Sequence, residues 1–338
     1  MQGTNGSAAF CPVVMAQLVA LVVVTLAYAL AGAVVAARRA GGGGPSAVLA
    51  HVRPSTLLWE LPFLGALAFL WVWCARGLYS GGVASLRTST LAILVAGLAC
   101  LPRLRLSALL ARRVPARRQA ACHTAATVVL LALCEEASRA ALEVPWNDAW
   151  LDIAPQFVAI EATIIGLALL VLYFLFQRRG AGVALGVGFM LFVGIAQYFV
   201  FLFKDANITP ADLQAIGTAA EVSGGYVYVI TPAVVRAVAF AAAGIACAAY
   251  LMPPASQALP QGGHAPAHAE PARREGARAC LAHAASVPAV RRTMLGLASA
   301  LALALFVTVP GYGADFGVSL NHWNSLYSTS LQGFFPCF

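Results

Sequence analysis

The segment FKDANITPADLQAIGTAAEV, residues 203–222, is a polar interruption between two apolar runs. It carries Lys204, Asp205, Asp212 and Glu221, although only 10% of the 338 residues are charged. Hydrophobic residues make up 61% of the chain, and the mean hydropathy is +0.81. In soluble domains about a quarter of the residues are charged. The composition therefore predicts a membrane protein that crosses the bilayer several times.

The apolar runs are each long enough to cross a bilayer as a helix, which takes about 20 residues. They predict an all-α, polytopic transmembrane helix bundle of about eight spans. The third run is short and contains Arg87, so a count of seven spans stays open. The predicted spans are Pro12–Ala37, Thr56–Ala75, Val83–Leu101, Ala121–Leu142, Pro155–Phe176, Ala181–Phe203, Pro232–Met252 and Thr293–Val309.

Arginine is concentrated in alternate loops, at positions 38–53, 103–118, 178–179 and 273–292. The opposite side is assigned only Arg76, Lys204 and Arg87, the last of which lies near the start of the third run. Loops rich in Lys and Arg face the cytoplasm. We therefore expect both termini, and the 203–222 segment, on the outer side of a bacterial plasma membrane.

The loops also divide the chain into segments. Thr209 can cap a helix that begins at Pro210, and Leu213, Ile216 and Ala220 recur on one face, so a short helix at about 209–222 is expected to lie flat on the outer surface. Gly182 and Gly186 form a G-x-x-x-G that predicts a close helix–helix contact. The predicted divisions are a transmembrane bundle of seven spans (1–252), a flexible cytoplasmic linker rich in Pro, Ala and Arg (253–292), a last transmembrane helix (293–310) and an extracellular juxtamembrane tail (311–338).

Ionisable residues lie inside or beside the apolar runs. A charge that faces lipid costs a few kcal/mol, so these side chains are expected to face the bundle interior, a water-filled cavity or headgroups. Glu135 and Arg139 are four residues apart and can pair on one helix face. The buried carboxylates leave a multi-pass transporter or flippase open as an alternative function. The predicted charged residues are Glu60, Glu135, Glu136, Arg139, Glu161 and Arg236.

The sequence argues against nucleic-acid binding and contains no common catalytic motif. The net charge of +8 does not indicate nucleic-acid binding, because the basic residues sit in loops between apolar runs. The sequence contains no G-x-S-x-G, no H-E-x-x-H and no Walker A motif, and no Asp/His cluster is expected outside the bilayer. No catalytic residue and no metal ligand is therefore assigned.

Two stretches resemble the lipoteichoic acid synthase family of membrane phosphoglycerol transferases. In the first, residues 194–232, the matching elements are the aromatic pair Tyr198 and Phe199, then Lys204, the Pro210–Asp212–Leu213 signature and Tyr226. The second is the ending GYGADFGVSLNHWNSLYSTSLQGFFPCF, in which the matching residues are Trp323, Tyr327, Gly333, Phe334 and Phe338. The other spans agree with that family only in their character.

The resemblance implies a membrane module that holds a sulfatase-like domain of the alkaline phosphatase superfamily at the outer leaflet. That domain uses a threonine nucleophile and a divalent metal, commonly manganese, to transfer glycerophosphate from phosphatidylglycerol. This sequence stops at Phe338, where that domain is expected to begin, so the enzyme status of the chain is uncertain and no cofactor is expected in it.

The expected partners are the bilayer, anionic lipid headgroups and a separately encoded sulfatase-like domain. Lys204 and Arg236 are candidate contacts for lipid phosphate. A third hypothesis is that the chain is an accessory membrane protein that binds no ligand.

Overall fold

The computed structural model describes residues 11–39, 41, 44–50, 52, 54–101, 116–177, 180–208, 228–251, 271–309, 317–318 and 325–337. Within these ranges the regular elements are helices, and one isolated parallel bridge joins Tyr79 to Ile230. The helices are α1 (Cys11–Arg39), α2 (Pro45–Ala50), α3 (Pro54–Ala75), α4 (Val83–Cys100), α5 (Ala116–Glu143), α6 (Pro155–Leu175), α7 (Gly180–Lys204), α8 (Pro232–Ala249), α9 (Pro271–Thr308), α10 (Ser325–Gln332) and α11 (Phe334–Cys337).

Seven of these helices are long and apolar enough to cross a membrane, namely α1, α3, α4, α6, α7, α8 and the Val290–Thr308 part of α9. Their outward faces carry large apolar side chains, such as Val23 (57% exposed), Phe192 (65%) and Leu301 (61%). Soluble monomers rarely expose apolar patches this extensive. The prediction of an all-helical membrane bundle is confirmed at this level, and the side on which the termini lie stays a prediction.

Helix α5 contains the predicted fourth span, but it is not one of these seven helices. Its apolar run is diluted by polar side chains, because His123, Thr124, Thr127, Glu135 and Glu136 interrupt it. It nevertheless packs within the bundle, against α6, α7 and α8. The short apolar run that contains Arg87 does form one of the seven helices, α4.

Helix α8 connects two groups of helices. On one side it packs against α4 and α3, which in turn pack against α1, and on the other side it packs against α5 and α7. Its buried face is made of small and β-branched residues, including Val234, Val235 and Ala241, which permit close helix packing. Helix α9 packs chiefly against α6. The predicted G-x-x-x-G contact is confirmed, because a side chain at Gly182 or Gly186 would meet α6 within 3 Å.

Half of the predicted linker is helical. Helix α9 begins at Pro271, about twenty residues before the predicted last span, so the second half of the segment 253–292, for which a flexible linker was expected, is helical. The sequence there, ARREGARACLAHAAS, is rich in alanine and arginine, which are among the strongest helix formers. Residues 253–270 and the predicted surface helix at 209–222 lie outside the described residues.

Loops that the arginine pattern assigned to a single side meet at one end of the bundle. The Ser80 N–H donates to the Ile230 carbonyl (3.0 Å), and the Ile230 N–H donates to the Leu78 carbonyl (2.8 Å). The Trp73 indole N–H donates to the Tyr228 carbonyl at 2.9 Å. We call this end, where residues 76–82, 144–154, 204–208 and 228–231 lie, the tail end, because residues 325–337 (the tail, α10 and α11) also dock there.

Candidate functional site: a buried polar cluster at the tail end

The last turn of α5 provides the first part of the site. Glu143 and Asn147 are four residues apart and both are buried, at 0% and 2% exposure. The Asn147 amide nitrogen donates to Glu143 Oε2 at 2.9 Å. Gly194 of α7 allows this turn to be packed closely, because a Cβ there would lie 2.5 Å from the carbonyl oxygens of Ala141 and Leu142. The Glu143 carboxylate is therefore enclosed between helices.

The tail covers this turn. The Phe334 N–H donates to Glu143 Oε1 at 2.7 Å, and the Asn147 amide nitrogen also donates to the Ser330 carbonyl at 3.0 Å. The Phe334 ring is 2% exposed and packs edge-on against Trp146, with the ring centroids 6.3 Å apart. Both oxygens of Glu143 thus accept hydrogen bonds, and one of these bonds comes from the tail.

A second set of polar contacts joins α7 to the tail. The Gln197 amide nitrogen donates to Asn207 Oδ1 at 3.0 Å, and Gln197 Oε1 accepts from the Ile208 N–H at 2.8 Å. The Asn207 amide nitrogen then donates to the Thr329 hydroxyl. Gln197 and Thr329 are 0% and 1% exposed, and the half-buried Asn207 connects them, so α7 and the tail are joined by a specific chain of hydrogen bonds.

Glu161, in the second turn of α6, completes the buried carboxyl pair. It is 0% exposed, and it interacts with both Glu143 and Arg139. The tail passes directly over it, because a Cβ added to Gly333 would lie 3.3 Å from Glu161 Oε2. Gly333 has a φ of 84°, which a glycine adopts at little cost. A side chain at 333 would therefore lift the tail from the carboxyl.

Arg139 links the cluster to the outside of α5. Its guanidinium donates to both oxygens of Glu136, at 2.7 and 3.0 Å, and lies 5.1 Å from the centroid of the Trp150 ring. The ion pair forms with Glu136 and not with Glu135, so the predicted Glu135–Arg139 pair is wrong. Spacings of three and four both place side chains on one helix face, and here the nearer residue takes the contact.

We call Arg139, Glu143, Asn147, Glu161, Gln197, Asn207 and Thr329 the polar cluster. It offers carboxylate and amide oxygens together with one guanidinium, and all of its members except the half-buried Asn207 are buried. It contains no cysteine, serine or histidine, the residues that most often form a nucleophile and its general base. Among the described residues, no group of three or more His, Cys, Asp or Glu side chains is placed to hold a metal ion. Its carboxylate and amide oxygens can bind a cation, and its hydrogen bonds can hold a packed segment in place.

The structure places the predicted charged residues in different environments. Glu60 is fully buried where α1, α3 and α4 meet, near Gly97. Arg139 and Glu161 are also buried, and Glu135 is half-buried. Glu136 was grouped with the buried charges, but its side chain is 54% exposed because it lies on the outward face of α5. Arg236 is exposed as well.

The residues that carry the family resemblance are only partly described. Pro210, Asp212, Leu213, Tyr226, Trp323 and Phe338 lie outside the described residues. Tyr327 is 58% exposed, and Gly333 lies over Glu161. Lys204, at the last residue of α7, and Arg236, in the first turn of α8, are both exposed at the tail end.

Most of the polar cluster was not predicted from the sequence. Glu143 lies one residue beyond the predicted fourth span and was therefore not counted with the intramembrane charges. The spacing of Arg139, Glu143 and Asn147, each four residues apart, was a usable signal for one polar helix face. Gln197 also had a signal, because it is the only amide side chain in the apolar run of α7. Asn207 and Thr329 had none.

No family model, no curated protein and no solved structure matches this chain.

Proposed function

We propose that the chain is the membrane module of a phosphoglycerol transferase-like protein, and that it holds a sulfatase-like domain at the outer leaflet. The observation that supports this proposal best is the docking of the tail. The tail follows the last apolar helix, and three hydrogen bonds hold it on the bundle: the Phe334 N–H donates to Glu143, and the Asn147 and Asn207 amides donate to the tail. A domain attached to the tail, or bound to it, would be kept at a fixed height above the bilayer.

The exposed charges at the tail end fit the same proposal. Lys204 and Arg236 are both exposed there, and basic side chains at this depth attract anionic headgroups. The aromatic side chains of Tyr198, Phe199 and Tyr228 pack together close by, with centroids 5.0–5.1 Å apart. Tyrosine is enriched where hydrocarbon meets water. The tail end is therefore suited to the level of lipid headgroups, which are the substrates of the family that the sequence resembles.

The first test is the side of the membrane. Tyr327, which is 58% exposed in the tail, is replaced by cysteine in a background without other reactive cysteines. We expect a membrane-impermeant maleimide to label Tyr327→Cys in intact cells. A cysteine at Arg39, at the other end of α1, is the matched control and should be labelled only after the cells are opened. The opposite pattern would contradict the proposal.

The second test is the transfer reaction itself. The coding sequence beyond the Phe338 codon and the neighbouring genes are the sources of the sulfatase-like domain to be tested. This domain is combined with the chain in proteoliposomes that contain fluorescent phosphatidylglycerol. We expect transfer of glycerophosphate to be faster with the chain than with empty liposomes, and slower with Glu143→Ala, which releases the tail. Equal rates with and without the chain would refute the proposal.

A second function is favoured by the Glu143–Glu161 pair. Buried carboxyls inside a helical membrane protein often mark ion or proton pathways, so the chain is also a candidate for an ion-coupled transporter or flippase. Flux of labelled lipid or solute across proteoliposomes would separate the two functions. The transporter hypothesis predicts that lipid or solute flux depends on Glu161 and occurs without any other protein.

A further inference from the structure

Two carboxyls are buried together beneath the tail. Glu143, at the end of α5, and Glu161, in α6, are both 0% exposed and interact with each other. Two ionised carboxylates in a buried site repel strongly, so such pairs keep one positive charge between them. The question is which group supplies that charge here.

The donors nearby are committed to Glu143. The Phe334 N–H donates to its Oε1 and the Asn147 amide to its Oε2. Neither oxygen of Glu161 accepts a well-formed hydrogen bond, although both are buried: its neighbours are the Glu143 carboxyl and the Phe334 N–H, which donates to Glu143. An unsatisfied buried acceptor is costly. Glu161 is therefore the place in the cluster where an additional positive group gains most.

The protein's own cation does not fill this place. The Arg139 guanidinium directs two of its nitrogens to Glu136, and its Nη1 is buried without a partner. The other ionisable groups of α5 nearby are Glu135, which is half-buried, and Glu136, which is exposed. On α6 the only Asp, Glu, Lys, Arg or His residue is Glu161, and on α7 it is Lys204, which is exposed. Residues 325–337 contain no charged side chain.

From this arrangement we infer that the Glu143–Glu161 pair is a binding site for one small monovalent cation, a proton or Na⁺, and that the bound cation holds the tail on the bundle. A single charge suffices, because neutralising one of the two buried carboxylates removes the repulsion between them. A divalent ion is disfavoured by Arg139 and by the lack of a third acidic ligand among the described residues. A proton would sit on Glu161, since both oxygens of Glu143 already accept hydrogen bonds.

The cation and the tail stabilise each other. When the tail leaves, Glu143 loses the Phe334 N–H, and Gly333 no longer covers Glu161, so water reaches both carboxyls. The open state can then ionise both carboxyls without a bound cation. Because the docked state holds one more cation than the open state, raising the pH favours opening, by about tenfold for each pH unit in the range where that one proton is lost. If Na⁺ is the occupant, adding Na⁺ has the opposite effect.

The experiment measures opening of the tail by hydrogen–deuterium exchange of the peptide that contains Phe334, in the full chain in lipid nanodiscs. Exchange is measured from about pH 5 to about pH 9, corrected for the chemical exchange rate, in choline chloride and in about 150 mM NaCl. For the wild type in choline chloride, we expect opening to rise about tenfold per pH unit over part of this range. Glu161→Gln, which mimics the protonated carboxyl, should remove the rise.

The two sources of the cation give different results. If NaCl suppresses the rise at high pH while choline chloride does not, Na⁺ occupies the site, and if NaCl has no effect, the occupant is a proton. Glu136→Gln is the matched control, because it neutralises an exposed carboxyl in the same region and should leave the wild-type response intact.

The inference is overturned if opening in the wild type responds to neither pH nor Na⁺, a result that needs no variant to fold. It is also overturned if Glu161→Gln keeps the wild-type response, or if Glu136→Gln abolishes it. None of these measurements involves lipid transfer, so the inference stands or falls separately from the proposed function.

Discussion

The last membrane helix and the tail that follows it are held in different ways. The membrane part of α9 packs chiefly against α6 and exposes a row of apolar side chains, including Met294 (59%), Leu297 (59%) and Leu301 (61%). The tail is shorter and more polar, yet Thr329 and Phe334 are almost completely buried. The more apolar segment is the one that the bundle encloses less.

The difference reflects two solvents. Lipid solvates apolar side chains as well as another helix does, so α9 needs little contact with the bundle to stay in the membrane. The backbone and side-chain polar groups of the tail have no such solvent once they are buried. They require partners, and Glu143, Asn147 and Asn207 supply them. Polar contacts therefore determine where the tail lies, whereas lipid determines where α9 lies.

Removal of the Glu143 carboxylate is expected to have the largest effect, because it weakens the docking of the tail and leaves α9 unchanged. Glu143→Ala leaves the Phe334 N–H without its acceptor and removes one partner of the Asn147 amide. Hydrogen bonds to a charged group contribute about 1.5–3 kcal/mol each, so we expect the free energy of unfolding to fall by about 3 kcal/mol. Thermal unfolding in nanodiscs measures this change, and limited proteolysis measures release of the tail.

The matched control lies on the lipid-facing side of α9. Leu301→Ala removes a large apolar side chain that is 61% exposed, and surface changes of this kind usually alter stability by less than about 0.5 kcal/mol. If Leu301→Ala destabilises the protein as much as Glu143→Ala does, the distinction between the two segments is wrong.

A second change acts on the packing beneath the cluster. In Gly194→Ala the added Cβ would lie 2.5 Å from the carbonyl oxygens of Ala141 and Leu142, which forces α7 away from the end of α5. Overpacking of this kind costs about 1–3 kcal/mol. Gly188→Ala in the same helix is the control, because nothing lies within 4 Å of a Cβ there. Equal melting temperatures of the two variants would argue against a close α5–α7 contact.

Much of the fold was predictable from the sequence because its signals are local. Apolar runs located the seven apolar helices, since about 20 such residues suffice to cross a bilayer. Gly182 and Gly186 indicated a close helix contact from their spacing alone. The arginine pattern assigned to one side the loops that meet at the tail end. Each of these signals is complete within one short stretch of chain.

The contacts between the polar cluster and the tail were not predictable, because the residues that meet there are distant in sequence. Asn147 and Ser330 are 183 residues apart, and Glu143 and Phe334 are 191 residues apart. Nothing near Thr329 indicates that it meets Asn207. The helix that begins at Pro271 was not predicted for another reason. Its proline and histidine content resembled a disordered linker, although residues from Pro271 onward contain enough alanine and arginine to form a helix.

A smaller change tests the connection between α7 and the tail. Asn207→Ala removes both the acceptor for Gln197 and the donor to Thr329. We expect a loss of about 1 kcal/mol for each bond and faster hydrogen exchange in residues 325–332, with α9 unchanged. Ser330→Ala is the control within the tail, because its hydroxyl donates only to the Tyr327 carbonyl nearby. Similar exchange in the two variants would show that Asn207 does not hold the tail.

The smallest effect is expected at the outer edge of the cluster, where Arg139 meets Glu136 and Trp150. Arg139→Lys keeps the positive charge but removes the two-nitrogen contact with Glu136 and the flat guanidinium near the Trp150 ring. Glu136 is 54% exposed, and exposed ion pairs contribute at most about 1 kcal/mol. A cation near an aromatic ring adds about 0.5–1 kcal/mol. We therefore expect a loss of about 1 kcal/mol in thermal unfolding, with Glu136→Gln losing less, because the contact with Trp150 stays. A loss as large as that of Glu143→Ala would mean that the guanidinium geometry, and not the positive charge alone, holds this part of the cluster together, which would contradict the small effect expected here.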